Sequence, residues 1–152
     1  ERHPAILECR PMAEIRATGR CLCGAVTYEV RGQLRDVVLC HCVECRRWSG
    51  NAGAFAAAQD DDLVAQGDAL RWISSPDSSR HAERAFCAEC GSSMFWKAAG
   101  SERTGIAAGT LDDPTGLQLT AHIYTEQAAD WDALADDGIV RDPDSSYVPR
   151  WS

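Results

Sequence analysis

Lysine is nearly missing from this chain of 152 residues: Lys97 is the single one among 15 basic residues, which face 23 acidic ones. The formal net charge is −8 and the isoelectric point near 4.9. That balance argues against nucleic acid as a partner, because non-specific affinity for a phosphate backbone comes from lysine and arginine displacing counterions. Long apolar runs are missing too. No stretch approaches the ~20 residues that a membrane span needs, and residues 1–20 lack the apolar middle of a signal peptide, so the chain reads as cytoplasmic with no membrane partner. The first residue is Glu1, Met12 reads as an internal or native start, and residues 1–11 are set aside as a tail. The 23 alanines beside the missing lysines point to a GC-rich bacterial genome.

Long helical periods are scarce as well. With 45% hydrophobic and 25% charged residues the composition is that of one globular domain with a packed core. Turn residues recur every ten or so positions, and between them lie short runs rich in β-branched and aromatic residues, an all-β rhythm. Strands are predicted at 25–30, 36–40, 53–58, 69–74, 81–86, 93–98, 105–109 and 118–124. Short helical turns are predicted at 43–48 and 128–135, neither long enough to stand without tertiary packing. The acidic groups at 60–62, 112–113 and 136–137 lack the regular oxygen spacing of a calcium loop and read as solvated loops. The tail after Asp142, with Pro143, Pro149 and Trp151, reads as a surface strap.

Cysteine is the abundant exception. Seven of the eight cysteines fall into three clusters, Cys21-Leu22-Cys23-Gly24, Cys40-His41-Cys42-Val43-Glu44-Cys45 and Cys87-Ala88-Glu89-Cys90-Gly91, while Cys9 stands apart as a bystander. Without an export signal, metal or redox chemistry is the better use for them than disulfides. Ligands spaced i, i+2 on extended chain project to one side, and ligands spaced i, i+3 across a tight turn can grip one ion. The count itself carries meaning. A closed structural zinc site takes four ligands and a catalytic site takes three with one position open, and seven is four plus three. Cys40, Cys42 and Cys45 supply three locally, leaving Cys21, Cys23, Cys87 and Cys90 to close the other. Spacing leaves alternatives open: one metal site plus a redox pair, a triple completed by Cys9 or a histidine, or iron in place of zinc. His41 points away from its cysteine neighbours in an extended segment and reads as a packed or hydrogen-bonded residue, and His81 and His122 take structural roles.

These residues resemble the glutathione-dependent formaldehyde-activating enzymes, a family that shares its domain with centromere protein V. The stretches that carry the likeness are 19–26, 40–47, 86–92 and 109–114, followed by His122-Ile123-Tyr124 and Trp131. The likeness covers about residues 16–135, which leaves 1–15 as a tail and 136–152 as a C-terminal surface strap that follows the family pattern poorly. The resemblance implies a mainly β, β-tent fold of small antiparallel sheets with few short helical turns and two zinc ions. It puts Cys21, Cys23, Cys87 and Cys90 on the structural ion, and Cys40, Cys42 and Cys45 on the second, more labile one.

The activity it implies is carbon–sulfur lyase or synthase chemistry on the adduct of a small aldehyde, formaldehyde, with a thiol such as glutathione. The open position on the three-cysteine ion would take the substrate thiol and lower its pKa, so that the sulfur can attack the carbonyl carbon. Arg46 and Arg47 are the nearest cations in sequence, able to screen the excess negative charge or grip a substrate carboxylate. No acid or base stands out for the oxygen. Glutathione is itself an anion that an acidic protein repels, so a local basic patch must overcome that field or the physiological thiol is a different one. Two other classes remain: a zinc-stabilised peptide-binding module, and a thiol redox enzyme similar to the methionine sulfoxide reductases of type B.

Overall fold

The computed structural model describes residues 14–152 apart from Asp77 and Ala135, so Cys9, Met12 and nearly all of the expected tail lie outside the described residues. In chain order the elements are β1 (Ala17–Arg20), β2 (Thr27–Val30), β3 (Leu34–Cys40), α1 (Val43–Ser49), β4 (Gly53–Gln59), β5 (Leu63–Gln66), β6 (Leu70–Ser74), β7 (Glu83–Cys87), β8 (Ser93–Lys97), β9 (Arg103–Ala107), β10 (Leu119–Ile123) and β11 (Val140–Arg141). The protein is mainly β. A three-stranded sheet, β1-β2-β5, packs against an eight-stranded one ordered β11-β10-β3-β4-β9-β8-β7-β6. No described helix is long and apolar enough to cross a membrane.

All eight expected strands are present, and the expected turn at 43–48 is α1. Three short strands, β1, β5 and β11, escaped the sequence because so few of their residues are buried that they show little apolar alternation. The expected helical turn at 128–135 is a correction. A 3-10 turn at Thr125–Gln127 stands before it, and residues 128–134 form neither helix nor strand. The physical reason is tertiary: Asp132 reaches back to His41, which fixes this segment to the body outside helical geometry.

Strand β3 shows how patterning positions the chemistry. Leu34, Asp36, Val38 and Cys40 alternate with less buried neighbours, so a period of two delivers Cys40 to the interior at the end of the strand. β4 next to it is sandwiched, and small residues fill it: Ala56, Ala57 and Ala58 are all buried. Between the two sheets lie Val26, Tyr28 and Val30 on one side and Leu34, Met94, Phe95 and Ile106 on the other, together with Cys21 and Cys87. Gly19 is required by this close approach, since a Cβ there would sit 2.3 Å from the Tyr28 ring and 2.5 Å from the Thr110 carbonyl oxygen. Both edges of the upper half of β10 are parallel pairings, with β3 on one side and β11 on the other. The lower half of β3 pairs instead with the chain end, where Leu34 and Ser152 exchange backbone hydrogen bonds of 2.9 Å and Arg150 meets buried Asp36 at 3.1 Å.

Candidate metal centres and active site

The four-cysteine group is assembled from two turns that meet where the sheets meet. Cys21 and Cys23 follow β1, Cys87 ends β7 and Cys90 follows it, and one sulfur from each lies within 4.8 Å of the others. Each pair is closed by a glycine with positive φ, Gly24 at 82° and Gly91 at 75°, a conformation that a side chain would strain. The Val26 N–H donates to Cys21 Sγ at 3.2 Å, and Ser92 Oγ lies 3.2 Å from Cys90 Sγ. The Ser92 hydroxyl, aided by its backbone N–H, draws Cys90 down to about 5. At Cys23 the Ala25 N–H pulls the thiol down, but desolvation and the neighbouring sulfurs outweigh it and leave the thiol at about 12.

The three-cysteine group sits where β3 turns into α1. Cys40 ends the strand, Cys42 caps the helix by accepting the Cys45 N–H at 3.4 Å, and Cys45 lies buried in the first turn. Their sulfurs also lie within 4.8 Å of one another, and among the described residues no fourth cysteine, histidine or carboxylate joins them within that distance. Phe55 from β4 completes a small apolar cluster with Cys40 and Cys45, against which Trp96, Ala107, Ile123 and Tyr124 pack. Hydrogen bonds from Cys40 and then Cys45 hold Cys42 at about 2. Cys40 is pushed far up by Cys42 and then Cys45, and by burial. Cys45 is pulled down by Cys40 yet ends at about 11, because Cys42 and burial push harder. Three sulfurs this close resist ionising together, since a second thiolate would face the first in a poorly solvated site. A divalent cation removes that restriction, and soft thiolates suit zinc, so both groups fit a metal ion.

A buried cation stands beside the three sulfurs, and it is neither arginine that the sequence suggested. Arg84 from β7 is 3% exposed; its Nη2 lies 3.8 Å from Cys45 Sγ and 3.6 Å from Glu44 Oε2, its Nε donates to Ser75 Oγ at 3.1 Å, and its guanidinium lies over Trp48. Arg46 and Arg47 lie in the last turn of α1; Arg46 Nε is buried without a hydrogen-bond partner, and Arg47 is exposed. No sequence signal distinguished Arg84, because an arginine in a strand is ordinarily a solvent-facing residue and only the pairing of β7 with β6 and β8 turns it inward. A buried guanidinium favours thiolate over thiol. Arg84→Met should therefore weaken metal binding at the three-cysteine group by about tenfold or more while the four-cysteine group keeps its ion, with Arg84→Lys intermediate, as read by competition with a chromophoric chelator. Equal weakening at both groups would contradict this role.

His41 is buried and takes a hydrogen-bonded place. Its Nδ1 lies 3.0 Å from Asp132 and its Nε2 lies 3.0 Å from His122 Nδ1, while His122 Nε2 lies 3.1 Å from Asp137. This polar chain ties the segment after residue 130 to the strand that carries Cys40. Tyr124 adopts φ 55°, a strained value for a residue with a side chain. It packs against the three-cysteine cluster, and its hydroxyl meets Ser145 at 3.1 Å and Arg80 at 3.2 Å.

An open groove of about 410 Å³ is lined by Trp48 and Phe55, by Gly91, Ser92 and Ser93 next to Cys90, and by Ala107 and Thr110 among others, and no cysteine lines it. A second depression of about 460 Å³, at Gln59, residues 100–103 and Trp151, is likewise lined by no cysteine.

Fold and sites together define a small mainly β domain that carries two thiol groups able to hold metal, one of four sulfurs and one of three. Residues 16–127 match the glutathione-dependent formaldehyde-activating enzymes, and the chain belongs to that family. It is 30% identical over 79 residues to an uncharacterized lyase of Schizosaccharomyces pombe, an alignment covering 51% of this chain and 55% of the relative. The chain thus spans about half the length of that curated relative. A crystal structure of a Rhodobacter sphaeroides protein, 27% identical, is similar with a TM-score of 0.52 over 63% of this chain and 88% of that one.

Proposed function

We propose that this chain is a carbon–sulfur lyase, or synthase in the reverse direction, acting on the adduct of a small aldehyde with a thiol, of which S-(hydroxymethyl)glutathione is the form suggested by the family. Cys21, Cys23, Cys87 and Cys90 would hold a structural zinc, and Cys40, Cys42 and Cys45 a second zinc at the reacting centre. The observation that carries this reading is the triad itself: three sulfurs together, no fourth donor among the described residues beside them, and a groove that shares Phe55 and Ala107 with the apolar cluster around them. Zinc bound there would favour the thiolate form of an incoming thiol and polarise a carbonyl oxygen.

The chain's own residues supply the rest. The Cys42 cap and the end of β3 fix two of the sulfurs on ordered backbone, so the donor set is built before substrate arrives. Arg84 offsets the negative charge that three thiolates and a substrate sulfur concentrate in one place. Phe55, Trp96 and Ile123 shield the centre from water. In the synthase direction the substrate S–H proton leaves, a bond forms between sulfur and the aldehyde carbon, and the carbonyl π pair moves to oxygen, which takes up a proton. Cleavage is the reverse, and no electrons are gained or lost overall. Carbon-13 exchange spectroscopy tests the reading: zinc-loaded protein should speed interconversion of a thiol–formaldehyde adduct with its free components. No acceleration with any thiol would contradict it.

A further inference from the structure

Among the described residues only two that carry side chains hold a positive φ, His81 at 48° and Tyr124 at 55°. Such strain persists only where the surroundings impose it, and it gathers at functional sites. Both residues belong to one place in the fold. His81 directly follows Arg80, and the Arg80 side chain reaches across to Tyr124 and to Ser145 of the C-terminal strap.

Three segments far apart in the sequence converge there: the loop between β6 and β7, the end of β10 and the strap. Arg80 Nη2 donates to Tyr124 Oη at 3.2 Å and to Ser145 Oγ at 2.8 Å, and the two hydroxyls lie 3.1 Å from each other. Two of the five N–H groups of the guanidinium are thus engaged, both by neutral oxygens. Its Nε and Nη1 have no hydrogen-bond partner among the described residues, and no described carboxylate pairs with it. The acids of the strap are turned elsewhere: Asp142 accepts the N–H groups of Asp144 at 3.2 Å and Tyr147 at 2.6 Å, and Asp144 accepts that of Ser146 at 2.8 Å. One hydroxyl hydrogen of the Tyr124–Ser145 pair also remains, since only one is used between them. An exposed guanidinium oriented by two hydroxyls, with its fork uncommitted, suits a carboxylate.

This cluster is joined to the three-cysteine centre. Ile123, the residue before Tyr124, pairs in register with Cys40 and accepts the N–H of His41 at 3.0 Å. Tyr124 itself packs against the cluster of Cys40, Cys45 and Phe55. A protein whose net charge is −8 repels an anionic thiol as a whole, so a cation placed here is what would hold one.

Resting on the reading of the centre as one that binds thiols, we propose that Arg80, Tyr124 and Ser145 form the subsite that holds a carboxylate of the substrate thiol. The sulfur enters the three-cysteine centre, the organic arm runs along Tyr124, and the carboxylate takes the Arg80 fork together with the remaining hydroxyl hydrogen.

The test uses protein loaded with cobalt(II), whose absorption reports a sulfur entering the three-cysteine centre. Glutathione and its dimethyl ester, in which both carboxylates are masked, are titrated into the unaltered protein and into Arg80→Gln, each affinity expressed per thiolate. Arg80→Gln should weaken glutathione about tenfold or more, leave the ester unchanged and flatten the salt dependence of glutathione binding. Arg80 is exposed, so the melting temperature should change little. Ser145→Ala, which loosens the guanidinium without removing its charge, should weaken glutathione about threefold and again spare the ester. Equal changes for the two ligands, or no change in either variant, would overturn the subsite and leave the thiol-binding centre standing. If neither ligand alters the cobalt spectrum of the unaltered protein, the centre itself is misread and the subsite falls with it.

Discussion

Replacing Cys87 by serine should cost the protein its fold. Cys87 is fully buried at the end of β7, part of the core between the sheets, and its sulfur lies 3.9 Å from Cys23. A closed four-thiolate zinc contributes its binding free energy directly to folding, on the order of 10 kcal/mol in small zinc domains, whereas whole domains are stable by only ~5–15 kcal/mol. Serine also leaves a hydroxyl in an apolar interior with no partner provided for it, a further penalty of about 1–3 kcal/mol. The two losses add in the same direction, so Cys87→Ser should show no cooperative thermal transition by circular dichroism and rapid proteolysis at room temperature. A transition within a few degrees of the unaltered protein would show that the four-cysteine group does not hold the sheets together.

Cys42→Ser should do the opposite: keep the fold and abolish catalysis. Cys42 is half-buried at the N-terminal end of α1, outside the main core, and its structural task is to accept the Cys45 N–H as the helix cap. Serine is among the better capping residues, so that task survives the exchange. What is lost is the sulfur held most strongly as thiolate, drawn down by Cys40, Cys45 and, more weakly, by the charge of Arg84. Carbon-13 exchange should fall to the rate without protein, metal content should drop by one ion per chain, and the melting temperature should change little. A variant as active as the original would remove the three-cysteine group from the reaction. One that unfolds as Cys87→Ser does would make both groups structural.

The grouping of the cysteines into a set of four and a set of three was legible in the sequence, because ligand turns are local: Cys-x-Cys, Cys-x-x-Cys and a following glycine announce themselves within four residues. The same locality explains the strands that were found, each bounded by turn residues and carrying its own alternation. It also explains the misses. β5 lies at the edge of its sheet with Leu63 its one half-buried residue, and leaves almost no periodic trace. The parallel pairing of β3 with β10 joins residues about eighty positions apart, such as Leu39 and His122, and no local pattern encodes such a partner. Arg84 was missed for the same reason. Arg46 and Arg47 drew notice by sequence nearness to Cys45, but the guanidinium that reaches its sulfur comes from a strand 39 positions away. His41 was rightly set apart from the cysteines on either side of it, though its link to His122 and the two flanking aspartates depends on where the chain after residue 130 returns.

The central claim is that one centre is closed and the other accepts a thiol. Native mass spectrometry of zinc-loaded protein, with and without excess benzyl mercaptan, tests it most directly. Two zinc ions per chain are expected, with a single thiol adding in a manner that requires Cys42 and that leaves the four-cysteine ion undisturbed. One tightly held ion per chain, or two ions of which neither takes up a thiol, would contradict the account.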